Sequence, residues 1–90
     1  MLPKVIADRR ESHFVVQVLR KLKTEVIEKS ISPGDYVVGE NYAIERKAFR
    51  HFIRSIYKKR LFDQLERLHS AYRNCCLIVE GDIGYGLAHL

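Results

Sequence analysis

The sequence predicts a single α/β domain in which helices cover a mixed β-sheet. Short strand-like runs and helical stripes follow one another in the order β-α-β-β-β-α-α-β, and elements of both kinds pack as layers around one core. Ninety residues suffice for one domain with a modest core. The apolar fraction of 47% is that of an ordinary globular protein and excludes a chain that is disordered throughout.

The first predicted elements are a short buried strand at residues 4–7 and a helix that runs from the N-cap Ser12 to about Leu22. Five apolar residues recur at helical spacing and form the predicted inner face of this helix: Phe14, Val15, Val18, Leu19 and Leu22. Residues 24–29 follow as a strand, and their polar character predicts a position near an edge of the sheet.

A β-hairpin is predicted next. Residues 32–35, with the sequence Ser-Pro-Gly-Asp, form a turn signal, and two short strands follow at residues 36–38 and 42–44. The link between these strands, residues 39–41, is three residues long. Its length sets the pairing of every residue in the hairpin.

Two helices and a strand complete the predicted domain. The first helix starts near Ala48 and carries an apolar stripe of Phe49, Phe52, Ile53 and Ile56. The second covers about residues 61–72, with the inward-facing side chains Leu61, Leu65, Leu68 and Tyr72. Residues 75–80 are almost continuously apolar, which predicts a strand in the middle of the sheet, covered on both faces. A loop-like end is predicted from the glycines that follow: Gly81, Gly84 and Gly86.

Composition and charge restrict the classes of protein. The formal net charge of +5 favours acidic partners, of which nucleic acid is the most common. No apolar run is long enough to span a bilayer and residues 1–4 lack a signal-peptide pattern, so we expect no membrane partner. Cys75 and Cys76 point to opposite faces of a strand, which disfavours a disulfide and indicates a reducing compartment. We expect an intracellular protein, in the cytoplasm or nucleoid of a prokaryote or in a eukaryotic nucleus.

The charged end of the hairpin is the candidate for chemistry. Glu45 and Lys47 are two residues apart on a strand and therefore share a face, and a three-residue link places Asp35 opposite Glu45. Opposite residues have Cβ atoms about 4.5–5.5 Å apart, so the two carboxylates repel unless a cation lies between them. Mg²⁺ binds through one or two carboxylates, water and substrate phosphate. Lys47 would then lie beside the metal and the phosphate. A solvated strand face or a simple cross-strand ion pair is the alternative for this triplet alone.

Five motifs in their order and spacing extend this pattern over residues 5–81. They are Asp8-Arg9-Arg10-Glu11, Gly34-Asp35-Tyr36, Glu45-Arg46-Lys47, Ser55-Ile56 with Arg60-Leu61 and Gln64, and Leu77-Ile78-Val79-Glu80-Gly81. With them the chain resembles the nuclease domain of the XPF family of structure-specific endonucleases, which includes the archaeal Hef nucleases. That family belongs to the restriction-endonuclease-like superfamily, so the resemblance implies a three-layer α/β/α fold with a central mixed sheet.

The resemblance implies cleavage of branched DNA (flaps, forks or splayed arms) with Mg²⁺ or Mn²⁺ as cofactor. It assigns catalytic roles to Asp35, Glu45 and Lys47. Asp35 and Glu45 are the implied metal ligands, with Asp8, Glu11 and His51 as further candidates. Supporting residues around the site are Arg10, Arg46, Arg60 and Gln64. The basic helix that follows the strand offers contacts to the DNA backbone from Arg50, Arg54, Lys58 and Lys59. Members of the family usually act as dimers, so we expect a homodimer or a heterodimer with a related nuclease subunit.

Two departures from the family pattern leave alternatives open. The family signature E-R-K-x-x-x-D ends in an aspartate, and His51 occupies that position here. Either the enzyme uses Mn²⁺ or is weak, or the chain is a non-cutting relative that binds DNA or dimerises. A small phosphate-binding α/β domain without a DNA role is a third alternative. Family members also usually continue past Gly81 and carry a helix-hairpin-helix domain. We therefore expect residues 1–90 to be one nuclease domain, shortened at its C-terminal end and without that second domain.

Overall fold

The computed structural model describes residues 2–89. Its elements are β1 (Lys4–Asp8), α1 (His13–Lys21), β2 (Glu25–Lys29), β3 (Tyr36–Val38), β4 (Tyr42–Ala48), α2 (Phe49–Tyr57), α3 (Leu61–Ala71), β5 (Asn74–Glu80) and α4 (Ile83–Ala88). Every predicted strand and helix is present, and α4 is an additional helix. Within the described residues, no helix has the length and apolar character needed to cross a membrane.

The five strands form one mixed sheet in the order β2-β1-β3-β4-β5. β1 and β2 are parallel, as are β4 and β5, whereas β3 runs antiparallel to both of its neighbours. The predicted edge position of β2 is confirmed. The predicted central position of β5 is wrong, because β5 lies at the opposite edge and Ile78 is 41% exposed. Its apolar run reflects partial cover on both faces, and that cover does not require two neighbouring strands.

α1 covers one face of the sheet. The core there consists of Ala7, Val16, Val26 and Tyr36, with Val5, Val15, Leu19 and Ile44 packed around it. The predicted inner face of α1 is only partly right. Phe14 is 71% exposed, and Val18 and Leu22 are exposed too, whereas Val16 is buried. The apolar arc of this helix is wider than the surface it packs on, and packing selects the row nearest the sheet.

α2 and α3 cover the other face. Ala43 points there, because it alternates with Ile44 along β4. The inward face of α3 is confirmed, with Leu61 and Leu68 buried and Leu65 and Tyr72 half-buried. In the stripe of α2, Phe49 is buried and Phe52 and Ile53 are half-buried, but Ile56 is 46% exposed. Helices on both faces produce the three layers predicted for this domain.

The glycine-rich end is helical, so the predicted loop is wrong. Asp82 caps α4, since its carboxylate accepts the Tyr85 N–H at 2.8 Å. A Cβ at Gly86 would overlap the ring of Phe49 on α2. Glycine therefore serves a close approach between two helices at this position, where the sequence suggested flexibility.

Candidate active site

The hairpin places three carboxylates in one row across the sheet. Tyr36 pairs with Ile44 over the predicted three-residue link, and this register continues to Asp35 opposite Glu45. On the other side, the pairing of β1 with β3 continues to Asp8 opposite Asp35. The Asp8 N–H donates to the Asp35 carbonyl at 2.8 Å, and the Asp35 N–H donates to the Ile44 carbonyl at 2.9 Å. The row lies at the end of β1 and directly before β3 begins, on the face covered by α2 and α3.

A cavity of about 200 Å³ opens at this point. Asp35, Glu45 and Lys47 line it together, so the three residues predicted to be catalytic meet in one place. The remaining lining residues come from the loop before β3, from the segment after β1 and from α3: Ile31, Ser32, Pro33, Gly34, Arg10, Gln64 and Arg67. We call this space the acidic cavity.

Among the described residues, Asp35 and Glu45 take part in no ion pair, although Arg10, Lys47 and Arg67 also line the acidic cavity. Burial raises the pKa of Asp35, and the nearby carboxylates of Glu11 and Asp8 raise it further, although the Arg46 N–H donates to its Oδ2 at 2.7 Å. Burial and the charge of Asp35 likewise raise the pKa of Glu45, against the opposing effect of Lys47. Each acid therefore prefers its protonated form more than it would in water, and a cation between them would reverse that preference.

The pair fits a hard divalent cation. Two carboxylates supply the oxygen ligands that Mg²⁺ or Mn²⁺ prefers, and such ions commonly take their other ligands from water and substrate phosphate. Across residues 2–89, no group of three or more His, Cys, Asp or Glu side chains is arranged to hold a metal ion. The described part of the chain thus offers a two-carboxylate site that substrate and water would complete.

Asp8 belongs to the same row but is engaged by the protein. It is only 3% exposed; its Oδ2 accepts the Arg10 Nε–H at 2.8 Å, and its Oδ1 accepts the Ile31 N–H at 3.2 Å. Burial alone would raise the pKa of Asp8, but these hydrogen bonds and the charge of Arg10 together lower it. Asp8 therefore stays ionised and anchors the loop that precedes β3, and it does not line the acidic cavity.

Arg46 and Glu11 lie on the opposite face of the sheet. Arg46 Nη1 donates to Glu11 Oε1 at 2.8 Å, and its Nη2 donates to Glu80 Oε1 at the end of β5. Burial alone would lower the pKa of Arg46, but the two carboxylates raise it well above its usual value. The Tyr36 hydroxyl is buried nearby without a hydrogen-bond partner, and burial and Glu11 raise its pKa to about 12. Because Glu11 forms an ion pair with Arg46, its carboxylate is engaged on this face of the sheet, and it does not line the acidic cavity.

His51 lines a second cavity, of about 270 Å³, between α2 and α3. We call it the basic cavity, and its lining residues are Lys47, His51, Arg54, Ser55, Lys58, Arg60 and Gln64. Lys47 and Gln64 line both cavities, so the two adjoin. The structure therefore brings His51 close to the site but not beside Asp35 and Glu45.

The comparisons with known proteins show the family of this chain. The sequence profile of the ERCC4 domain matches residues 7–89. The chain belongs to the ERCC4 domain family. It is 38% identical over 84 residues to the 3′-flap repair endonuclease Xpf of Saccharolobus solfataricus, an alignment that covers 92% of this chain and 36% of that protein.

Solved structures give the same result for this ERCC4 domain. XPF from Aeropyrum pernix superposes with a TM-score of 0.81 at 38% identity, covering 89% of this chain and 41% of that one. A complex of the same protein with DNA has a TM-score of 0.80 and covers 40% of its chain. The predicted family and the predicted α/β restriction-endonuclease-like fold are confirmed. The chain spans about two fifths of the length of these relatives.

Several residues that line the site were not singled out from the sequence. Arg67 lines the acidic cavity, and it continues the row that Arg60 and Gln64 form on α3 at spacings of four and three residues. That spacing is a readable signal. Glu80, which belongs to the last of the five motifs, lines neither cavity, and no local signal predicts its pairing with Arg46, because that pairing depends on the position of β5 beside β4.

The predicted DNA-binding residues divide into two groups. Arg54 and Lys58 line the basic cavity and also a groove between α2 and α4, whereas Arg50 lines that groove alone. Lys59 is exposed at the end of α2. The groove lies between α2 and α4 and has a volume of about 480 Å³. Its lining residues are Phe49, Arg50, Ile53, Arg54, Tyr57, Lys58, Tyr85, Gly86 and His89. We call it the α2–α4 groove.

Proposed function

We propose that this ERCC4 domain is the catalytic part of a structure-specific endonuclease that hydrolyses a phosphodiester bond of branched DNA, such as a flap, fork or splayed arm. The observation that carries the proposal is the acidic cavity, in which Asp35, Glu45 and Lys47 meet. The relative named as a 3′-flap repair endonuclease and the DNA complex of the similar structure support the substrate class.

The cofactor we propose is Mg²⁺ or Mn²⁺, held by Asp35 and Glu45. The raised pKa of both carboxyls supports this choice, because a bound cation would stabilise the ionised pair. When bound, the metal would act as a Lewis acid toward the phosphate and lower the pKa of a coordinated water. No third protein ligand is required by this proposal.

The chain's own residues orient the two partners of the reaction. The Arg46 N–H holds Asp35 Oδ2 in place at 2.7 Å, which limits rotation of that carboxylate. Lys47 reaches both the acidic and the basic cavity, so its ammonium group can donate to a phosphate oxygen as negative charge develops there. Contacts to the DNA backbone come from four exposed basic residues in and after α2: Arg50, Arg54, Lys58 and Lys59. Because these contacts are ionic, DNA binding weakens with added salt.

The alternative is a non-cutting relative that binds DNA or pairs with an active subunit. In the sequence this alternative depended on His51, which replaces an aspartate of the family signature. His51 does not line the acidic cavity, and the Asp35–Glu45 pair does not depend on it for its burial or its hydrogen bond. The arrangement therefore favours the enzyme.

A cleavage assay on labelled branched DNA with each metal tests the proposal. Asp35→Asn keeps an acceptor for the Arg46 N–H but removes the charge, and we expect it to abolish cutting while DNA binding persists. Glu25→Gln, on the exposed edge strand β2, loses one carboxylate remote from the cavity and should cut like wild type. A wild-type domain that binds DNA but is inert with both metals would establish the non-cutting alternative.

We also propose that a second copy, or a related nuclease subunit, binds at the exposed tyrosines of the α2–α4 groove, Tyr57 and Tyr85, and leaves the basic residues of that groove to the DNA. Three further apolar side chains of α2 and α4 are exposed: Ile56, Ile83 and Leu87. A stable interface needs roughly 800 Å² per partner. Tyr57→Glu should lower association in sedimentation experiments at least tenfold, because a charge would be buried at the interface. Phe62→Glu, at an equally exposed aromatic outside the groove, should not, and equal effects of both variants would reject this surface.

A further inference from the structure

The basic cavity has no counter-charge of its own. Five of its seven lining residues are basic and none is acidic. Among the described residues, ion pairs involve Arg10, Arg20 and Arg46 but none of the four Lys and Arg residues that line this cavity. Four cations gathered around one space repel each other, and an anion bound there would relieve that repulsion.

Local backbone geometry positions the backbone of two of these residues at the junction of α2 and α3. Lys59, just past the end of α2, is in the left-handed region at φ 57°, and the Arg60 N–H donates to the Ser55 carbonyl at 2.9 Å. The turn directs the chain into α3 and leaves Lys58 and Arg60 on either side of Lys59, both at the basic cavity.

The position of the cavity defines the anion. It adjoins the acidic cavity through Lys47 and Gln64, which line both spaces. A DNA strand that presents one phosphate to Asp35 and Glu45 therefore brings a neighbouring phosphate of the same strand to the basic cavity. We infer that the basic cavity is a second phosphate subsite, which binds a phosphate close to the one that is cut. This inference rests on the proposed function, and in it His51 is a hydrogen-bond donor to phosphate and not a metal ligand.

Neutral linkages in the DNA test the subsite without requiring cleavage. A set of branched DNAs, each with one uncharged methylphosphonate near the branch, is titrated with wild type and Arg60→Gln in the absence of divalent metal. We expect one linkage at which wild type loses about tenfold in affinity, the size of one charge-assisted hydrogen bond. Arg60→Gln should lose no further affinity at that linkage, because the same contact has already been removed.

Matched variants keep this test interpretable. Lys58→Gln should behave like Arg60→Gln at the same linkage, which guards against a folding defect in either protein. Arg73→Gln, an exposed charge before β5 that lines neither cavity, should leave the pattern of linkages unchanged. If Arg60→Gln and Lys58→Gln weaken binding equally at every linkage, the residues make only general backbone contacts and the subsite is rejected. Since the readout is binding, a domain that never cuts can still show the subsite, and a domain that cuts can still lack it.

His51 supplies an independent test. His51→Asp places a carboxylate among the four cations, and we expect DNA binding to fall about tenfold, whereas His51→Gln keeps a donor and should bind nearly as wild type. An increase of Mg²⁺-supported cleavage in His51→Asp, with DNA affinity unchanged, would show that position 51 serves the metal pair and would overturn the inference.

Discussion

The two faces of β4 carry the same kind of charge in opposite circumstances. On the face toward α1, which we call the matched face, Arg46 forms direct ion pairs with both Glu11 and Glu80. On the other face, which we call the unmatched face, Asp35 and Glu45 take part in none of the ion pairs among the described residues, although Lys47 lines the same cavity, and the pKa of both carboxyls is raised. The matched face joins residues of β4, of the end of β5 and of the segment after β1, whereas the unmatched face is the one to which our proposal assigns the cation and the phosphate. Charged residues close together in the sheet can thus differ in whether the protein itself supplies their partners.

Asp8 and Asp35 repeat this comparison within one row of the sheet. Both are aspartates at strand ends and they are register neighbours, but the pKa of Asp8 is lowered and that of Asp35 is raised. The difference follows from Arg10 and the Ile31 N–H, which satisfy Asp8 alone. Asp35 lines the acidic cavity and Asp8 does not, so the proposed metal site uses Asp35 and not Asp8.

Glu45→Gln should have the largest effect of the changes to the unmatched face. Removal of one of only two carboxylates should lower metal-dependent cleavage by about a thousandfold or more, because several kcal/mol of transition-state stabilisation depend on the metal. In the absence of metal, the same change should leave the melting temperature equal or raise it, since it removes a strained charge. Single-turnover cleavage and thermal melting measure the two effects. A variant that cuts at the wild-type rate would remove Glu45 from the site.

Arg46→Met tests the matched face, and this change should lower the free energy of unfolding. Breaking the ion pairs with the half-buried Glu11 and the exposed Glu80 should cost about 2 kcal/mol, less than for a fully buried pair, because Arg46 itself is 21% exposed. Urea unfolding measures this change. The control is Arg20→Met, whose exposed pair with Glu28 should be worth under about 1 kcal/mol. Equal losses in the two variants would contradict the structural role of the matched face.

The pH dependence of stability should separate Asp35 and Glu45 from Asp8. The ordinary pKa values are 3.8 for Asp and 4.5 for Glu, and both acids of the cavity titrate higher in the folded state. Above the ordinary pKa values, the folded protein holds more protons than the unfolded chain. The contribution of Asp35 and Glu45 to stability therefore falls as the pH rises. The Asp35→Asn/Glu45→Gln double variant should therefore gain stability relative to wild type as the pH rises through the ordinary values of 3.8 and 4.5 without metal. Excess Mg²⁺ should remove that advantage.

Asp8→Asn should show the opposite dependence. The pKa of Asp8 is lowered from 3.8, so its stabilising contribution is present above that value and is lost as pH falls through the lower folded pKa. The cost of Asp8→Asn should consequently be largest near neutral pH and shrink in acid. Melting curves across the pH range report this. A cost that grows toward acid pH would mean that Asp8 is not held by Arg10 and Ile31 in solution.

The smallest effect expected concerns two lysines in the same backbone state. Lys23 ends α1 at φ 60° and Lys59 ends α2 at φ 57°. Glycine at either position should stabilise the fold by roughly 0.5–1 kcal/mol, because it relieves the left-handed conformation. Only Lys59→Gly should also weaken DNA binding, by a few-fold, and lower the salt dependence by about one phosphate contact. Equal binding losses would mean that net charge alone attracts DNA to this domain.

Most of the fold is predicted by local patterns in the sequence. Alternation, helical spacing and turn residues predict every strand and helix from β1 to β5, since each depends on residues close together in the chain. The errors occur where distant contacts decide. The edge position of β5, the buried row of α1 and the helical end at α4 depend on which surface happens to be covered, and periodicity does not report that.

The sequence by itself determined that Asp35, Glu45 and Lys47 meet, because a two-residue spacing and a three-residue link are local rules of strand geometry. Tertiary structure alone decided which of the other candidates remain available. Arg46 engages Glu11 from 35 positions away and Glu80 from 34, and α2 and α3 together place His51 in the basic cavity. An ionic partner is chosen by proximity in space, and in this domain that proximity arises only when the sheet and its helices have packed.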